Sequence, residues 1–397
     1  MRKRTLADLD ASQLDGQRVV VRLDLNVPLK DGVVGDDTRI RASLPTIQHL
    51  RRHGARVVLL SHLGRPRGKV DPQYSLRPIA QALEALLGAP VTFLEDPTSD
   101  NAVQQVRHLP RGGVALAENT RFHAGEEAND GALADRFAAL GTMYVNDAFG
   151  SAHRAHASTE AIAHRIKPAV AGFLMEKELR FLGETVDNPE RPFVAILGGA
   201  KISGKIDLVE ALLPKVDRIL IGGAMACTFF KAMGLEVGNS LVEDDRVEMA
   251  RALLAKAGDK LVLPSGAVIA ERLSGDAPTR EVARDAIPAG WAMFDIDSGS
   301  VAQFAEIIES AKTVIWNGPM GVFETPPFDA GTLGVAKALA RATRKGATTV
   351  VGGGDSAAAV TAAGLDDEVT HVSTGGGASL EFLEGKPLPG VAALDNA

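Results

Sequence analysis

Short apolar runs rich in β-branched residues alternate along this chain with longer stretches of mixed polarity. In the first half the apolar runs are RVVVRLD (18–24), RVVLLSH (56–62), VTFLED (91–96), GVALAEN (113–119) and TMYVND (142–147). Between them lie stretches such as IRASLPTIQHLRRHG (40–54) and LRPIAQALEALLG (76–88), each closing on a glycine suited to a helix C-cap. The second half repeats the alternation with FVAIL (193–197), RILIGG (218–223), KLVLP (260–264), AMFDI (292–296), TVIWN (313–317), TTVVGG (348–353) and EVTHVS (368–373). Strands that are apolar almost throughout, separated by helices, predict parallel sheets buried on both faces. The stretch GFLMEKELRFLGETVDNPERP (172–192) predicts one helix and then a proline-bounded loop. A helix linking two α/β domains is a natural hinge.

The expected fold is therefore α/β, with two Rossmann-like domains, each a parallel sheet covered by helices, joined by a hinge helix around a central cleft. The boundaries expected are 1–171 for the first domain, 172–191 for the hinge and linker, and 192–379 for the second. Ligands of such sheets bind at the loops that leave the strand C-termini.

Composition narrows the picture. A chain of 397 residues exceeds one ordinary core and suits two domains. Apolar residues at 45% and charged residues at 23% describe a globular protein. A net charge of -7 argues against a general nucleic-acid binder, while leaving room for a local arginine pocket. The single cysteine, Cys227, has no internal partner, which fits a reducing compartment. No apolar stretch approaches the roughly 20 residues that cross a bilayer. The opening MRKRTLADLD has no apolar signal core, so a soluble, cytoplasmic protein without a membrane partner is expected.

Three glycine-rich turns stand where a strand should end and a helix begin: VAILGGAKISGK (194–205), TTVVGGGDSAAAV (348–360) and HVSTGGGASLEFL (371–383). Bare N–H groups at a helix start, with the positive end of the dipole, suit phosphate. The run 199–205 matches the first seven positions of a Walker A loop, but Ile206 follows where the magnesium-binding hydroxyl would stand. Lys201 and Lys205 are expected at i,i+4 spacing on one helix face, either neutralising phosphate or simply solvated. In Gly352, Gly353, Gly354, Asp355 and Ser356, the aspartate either caps the helix or faces a magnesium ion. The strand exit WNGPMGVFE (316–324) offers Val322 to flank a flat base and Glu324 for ribose hydroxyls, with an ordinary loop as the alternative.

The first half carries arginines at its strand exits instead. Asp24 and Asn26 end the first run, with side chains on one side of the strand. Arg39 stands at a helix start, and His62 and Arg65 follow the second run. Arg121 lies in ENTRF and Arg154 in NDAFGSAHRAH. Guanidinium groups grip carboxylate or phosphate with two prongs. One such arginine is ordinary surface. Several on converging loops point to a small, multiply charged anion. His153 and His156 lack a glutamate general-base pattern, so zinc is not expected. No G-x-S-x-G elbow or G-x-G-x-x-G fingerprint occurs, against a serine hydrolase and a dehydrogenase. A non-catalytic binding protein would need neither the lysine pair nor the GGGD turn.

Taken together, RVVVRLDLNVP, DDTRIRASLPTI, SHLGRP, ENTRF, NDAFGSAHRAHAS, ILGGAKISGKI, GGAMACTF, WNGPMGVFE, VVGGGDSAAA and STGGGASLEFLEGKPLPG resemble the phosphoglycerate kinase family, in family order from 18 to 390. The resemblance implies reversible phosphoryl transfer from 1,3-bisphosphoglycerate to ADP, giving 3-phosphoglycerate and ATP, with Mg²⁺, by direct transfer after hinge closure. It implies that Asp24, Asn26, Arg39, His62, Arg65, Arg121 and Arg154 hold the glycerate substrate. Lys201, Lys205, Glu324, Asp355 and Ser356, with the 352–354 glycines, would hold the nucleotide and its metal. Gly222, Gly223 and Val322 would line the base pocket. Arg39 and Lys201 would carry the catalytic charge and Asp355 the metal. The tail 380–397 would pack back on the first domain, and a monomer is expected. The chain departs from the family pattern at Gly204, often acidic, at Asn239, often lysine, at Gly266 in place of aspartate, and in DIDSGS (295–300) in place of D-I-G-P.

Overall fold

The structure, a computed structural model, describes residues 2–397 apart from the side chain of Glu184. Six strands build the first sheet: β1 (Arg18–Arg22), β2 (Arg56–Leu60), β3 (Val91–Leu94), β4 (Val114–Ala117), β5 (Met143–Asn146) and β6 (Ala169–Ala171). Their spatial order is β3-β4-β2-β1-β5-β6, and every pairing is parallel. Val19, Val20 and Val21 are all fully buried, as an unbroken apolar run demands of a sheet covered on both faces. On one face α1 (Thr38–Arg52) and α2 (Arg77–Leu87) send Ile40, Ile47, Leu50, Ile79 and Leu83 into a core with Val19, Val21, Val57 and Leu59. The predicted C-cap of α2 is realised at Gly88, whose φ of 60° is left-handed. After β6 the chain enters α3 (Phe173–Asp187).

The second large sheet uses β7 (Phe193–Leu197), β8 (Arg218–Ile221), β9 (Leu261–Val262), β13 (Thr313–Asn317), β14 (Thr348–Gly352) and β15 (His371–Val372). Its order is β9-β8-β7-β13-β14-β15, again parallel throughout. Between β9 and β13 the chain builds a separate antiparallel sheet of β10 (Gly266–Ala270), β11 (Arg280–Ala283) and β12 (Ala292–Ile296), with β10 in the middle. This corrects the sequence reading of AMFDI as one more strand of the parallel grammar. An apolar five-residue run does not reveal that it pairs with β10, and the sheet's third strand, β11, is REVA, too exposed to read as a strand. The helices of this half that bear on the site are α4 (Ile206–Leu212), α5 (Ser298–Ser310), α6 (Ala330–Arg344), α7 (Gly354–Ala362) and α8 (Gly377–Leu383).

The chain divides into two compact units, residues 1–179 with 387–397, and residues 180–386. The division falls inside α3, rather than leaving 172–191 as a separate linker. The return to the first unit also comes later than 380. Helix α8 runs through that position with Leu383 buried, and Lys386 pairs with Asp207 at 2.8 Å. From Pro387 onward the tail belongs to the first unit, where Gly390 accepts from Asn146 Nδ2 at 3.0 Å and Asp395 accepts from the Ala169 N–H at 2.9 Å.

Two departures from the family pattern turn out to touch. A Cβ on Gly266 would run into the Asp297 carboxylate, which caps α5 by accepting from the Ser300 N–H at 2.9 Å. The aspartate missing at 266 and the aspartate gained at 297 are thus one local exchange.

Candidate active site

In the first unit the predicted anion residues all leave the C-terminal ends of four adjacent strands, β4-β2-β1-β5. Asp24 and Asn26 follow β1, His62 and Arg65 follow β2, Arg121 follows β4 and Arg154 follows β5. Because β1 stops at Arg22, Asp24 and Asn26 sit in the exit loop rather than on the strand. Asn26 Oδ1 accepts from the Gly64 N–H at 2.9 Å, tying the β1 loop to the β2 loop. Arg39, the second residue of α1, donates from Nη1 to Asp24 Oδ1 at 2.9 Å. Arg121 donates to the Gly64 carbonyl at 2.8 Å, and its backbone N–H is received by Asn119 Oδ1 at 3.0 Å. Arg65 and Arg154 are exposed, the latter donating to His153 Nε2 at 3.1 Å.

Beneath these loops runs a polar chain that sequence reasoning passed over. Arg22 is fully buried. Its Nη2 donates to His62 Nδ1 at 3.0 Å and its Nε to Ser158 Oγ at 2.8 Å. Ser158 in turn donates from its hydroxyl, and from its N–H at 3.0 Å, to the buried Glu126 carboxylate. Since Nδ1 of His62 accepts, the proton of the neutral ring lies on Nε2. Burial above all, then the cations Arg22 and Arg121, holds His62 well below the usual imidazole range. Burial likewise takes His156 down to about 4, helped by Arg121, Arg22 and Arg154. Both of these rings are therefore neutral near pH 7, so neither adds to the positive charge of the arginines on this surface. A charge inside the RVVVRLD run was the available signal for Arg22.

In the second unit the predicted nucleotide residues again leave four adjacent strands, β8-β7-β13-β14. Gly222 and Gly223 follow β8, Lys201 and Lys205 follow β7, Val322 and Glu324 follow β13, and Gly353 to Ser356 follow β14. The first three exits pack backbone on backbone. Gly199 donates to Pro319 O at 2.9 Å, Gly223 to Met320 O at 2.9 Å, and Met225 to Gly199 O at 3.1 Å. A Cβ on Gly198 would strike the Pro319 carbonyl, one on Gly222 the Met320 side chain, and one on Gly223 the Gly199 backbone. Only glycine permits this approach. Ser356 Oγ accepts from the Gly318 N–H at 2.6 Å, fastening the β14 exit to the β13 exit.

The lysine pair is not on one helix face. Helix α4 starts at Ile206, with Lys205 at its N-cap and residues 202–205 in a turn closed by the Lys205 N–H to Ile202 O bond of 2.8 Å. The turn is held from outside, because Ser203 donates from its N–H to Glu243 at 3.0 Å. Lys201 is consequently exposed, whereas Lys205 turns inward, donating to the Asn317 carbonyl at 3.0 Å and to its Oδ1. Burial lowers the Lys205 ammonium to about 8, opposed by the Asp355 and Glu384 carboxylates. Asn317, whose buried Nδ2 has no hydrogen-bond partner among the described residues and lies near Gly353, is a second residue the sequence reading missed. Asp355 does not occupy the N-cap. Gly353 does, with φ 88°, and Asp355 is the second helical residue with an exposed carboxylate. Glu324 is exposed and Val322 half-buried.

Two strand-exit surfaces thus exist, one presenting guanidinium groups and neutral imidazoles, the other glycine N–H groups, ammonium and a free carboxylate. The family model described as "Phosphoglycerate kinase" matches residues 8–386. Phosphoglycerate kinase of Synechococcus elongatus is 55% identical over 401 residues, covering 100% of both chains. "Phosphoglycerate kinase 3, cytosolic" of Arabidopsis thaliana is 54% identical over 399 residues, covering 100% of this chain and 99% of its own. A solved phosphoglycerate kinase from Coxiella burnetii has a TM-score of 0.90 at 41% identity, covering 98% of each chain.

Proposed function

The chain belongs to the phosphoglycerate kinase family, a phosphotransferase with a carboxyl group as acceptor, and from that premise we propose which residues carry the reaction. The observation that supports the assignment is one of placement: in each unit the predicted residues leave four neighbouring parallel strands at the same edge.

Arg39, Arg65, Arg121 and Arg154, with Asp24, Asn26 and the Nε2 proton of His62, bind the carboxylate, hydroxyl and phosphate of 3-phosphoglycerate. Lys201, Lys205 and the 352–354 glycine N–H groups bind the phosphates of ADP or ATP. Gly222, Gly223 and Val322 bind the base, and Glu324 the ribose. The exposed Asp355 carboxylate at the start of α7, free of a capping role, fits a Mg²⁺ ligand. When bound, Mg²⁺ would offset charge on the nucleotide phosphates.

In the ATP-forming direction the bond between phosphorus and the acyl oxygen breaks as one forms to the terminal oxygen of ADP. The electron pair of the broken bond stays on a carboxylate, a weak base, so no proton relay is needed. What the protein supplies is alignment and positive charge. Arg39 and Lys201 carry that charge at the moving phosphoryl group. The acid and nucleotide residues belong to different units, and in this reading transfer follows a hinge closure that excludes water, which would otherwise hydrolyse the phosphoryl group. Cytoplasmic action is part of the same reading, in line with the name of the Arabidopsis relative. So is a monomeric state. Mixing the protein with Mg-ATP and 3-phosphoglycerate and following ADP in a coupled assay tests it. Turnover dependent on both substrates is expected, and its absence ends the reading.

A further inference from the structure

The fully buried Asp295 on β12 takes no part in the proposed transfer. Its Oδ2 accepts from the Gly331 N–H at 2.7 Å and its Oδ1 from the Ile296 N–H at 2.8 Å. Gly331 is the second residue of α6. Asp329, standing at the N-cap of that helix, makes no side-chain capping bond. The first turn of α6 is therefore satisfied from a strand of a different sheet. A Cβ on Gly331, or on Gly321 in the β13 exit, would collide with Asp295 Oδ1. The carboxylate is clamped between helix and loop.

The same turn of α6 holds the β13 exit. Thr332 Oγ1 accepts from the Met320 N–H at 3.0 Å and the Gly321 N–H at 3.3 Å. One residue on, Val322 donates to the carbonyl of Phe294, the neighbour of Asp295, at 2.9 Å. Phe294 and Val322 pack on the Phe328 cluster, the two phenyl rings 5.1 Å apart. Strand β12 thus grips the loop twice, directly at Val322 and through α6. We infer that Asp295 is a positioning residue for nucleotide binding, setting the place of Val322 and Glu324 by fastening the start of α6. This rests on the proposed role of those two residues. Burial, with Asp329 and Glu281 adding to it, pushes the Asp295 carboxyl up to about 7. A group so costly to bury persists where its partners need both of its oxygens.

Asparagine offers one acceptor oxygen and turns an NH₂ toward the other N–H donor. Steady-state kinetics of the full chain are expected to show Asp295→Asn raising KM for ADP about tenfold, with KM for 3-phosphoglycerate unchanged and kcat affected less. Thr332→Val, which cuts the link between α6 and the loop, is expected to raise KM for ADP alone in the same way, and serves if the Asp295 variant does not fold. Val322→Ala and Glu324→Gln report on the underlying assignment. If they weaken ADP while Asp295→Asn or Thr332→Val leaves KM for ADP at the parent value, the positioning role is overturned and the site assignment stands. If none of the four moves it, both are overturned.

Discussion

Lys205 donates from Nζ to the backbone carbonyl of Asn317 at 3.0 Å, joining the exit of β7 to the end of β13. The bond lies under the glycine turns and holds a cation where nucleotide phosphates are proposed to sit. Because burial lowers this ammonium to about 8, its charge in the free protein disappears as pH rises through that value. ADP affinity, measured by calorimetry, is expected to fall as pH goes from 7 to 9, by up to about tenfold per unit beyond the pKa. Lys205→Arg keeps its charge throughout and is expected to flatten the profile. A wild-type affinity constant across that range would remove Lys205 from the phosphate site.

Arg39 is oriented by Asp24 at 2.9 Å, yet its side chain retains 40% exposure. One face is fixed and the rest is open to a ligand. A preorganised cation that meets charge developing in the transition state affects turnover more than binding. Arg39→Ala is expected to lower kcat by roughly 10²–10³-fold with a much smaller rise in KM for 3-phosphoglycerate. Weaker binding with unchanged kcat would make Arg39 a binding group only. Asp24→Asn, which weakens the brace and keeps the guanidinium, is expected to give a smaller loss in kcat.

The neutral state of His62 follows from its burial and from the guanidinium that faces it. Imidazole resonances of His62 are expected not to titrate between pH 5 and 8. Arg22→Leu removes the donor to Nδ1 and takes the buried cation away from Ser158, which holds the buried Glu126 carboxylate. Breaking a buried charged network typically costs about 3–5 kcal/mol, so this variant is expected to unfold at markedly lower urea. Equal urea midpoints would mean that the chain Glu126–Ser158–Arg22–His62 holds nothing in place.

How far the sequence disclosed these features depended on whether the physical cause was local. Val19 to Val21 announce a strand buried on both faces, because three consecutive β-branched apolar residues leave neither face of a strand for water. Gly88 announces a helix end because only glycine takes φ 60° freely. The arginine loops were legible because parallel strands put all their exits on one edge. What stayed hidden was decided by distant partners. Lys205 turns away from a helix face because Asn317, 112 residues later, draws it inward. AMFDI pairs with GAVIA rather than with the large sheet. Arg22 lies inside an apolar run and Asn317 closes one, and burial of a polar group is invisible until its partners are in place. Gly266 looked like a loss until Asp297 was seen to fill its space.

Asp147 gives a pH signature of the first unit. It is fully buried after β5, and its Oδ1 accepts from the Met175 N–H at 3.0 Å in the first turn of α3. Phe173 at the head of that helix donates its N–H to Thr46 Oγ1 at 3.1 Å. Burial, only partly offset by these donors, pushes the Asp147 carboxyl up to about 6 from 3.8. Between those values the folded chain holds the proton more tightly than the unfolded chain. The stability that this group contributes is therefore greatest below about pH 4 and declines as pH rises through about 6. Asp147→Asn carries no such dependence. Urea unfolding of both proteins from pH 4 to 7.5 is expected to show the variant gaining on the parent by ~2–3 kcal/mol as pH increases, with the change finished near pH 7. Taking the difference cancels every other titrating group. A difference that stays constant over the range would mean that the carboxyl is ionised throughout, with the α3 N–H groups and Thr46 outweighing its burial.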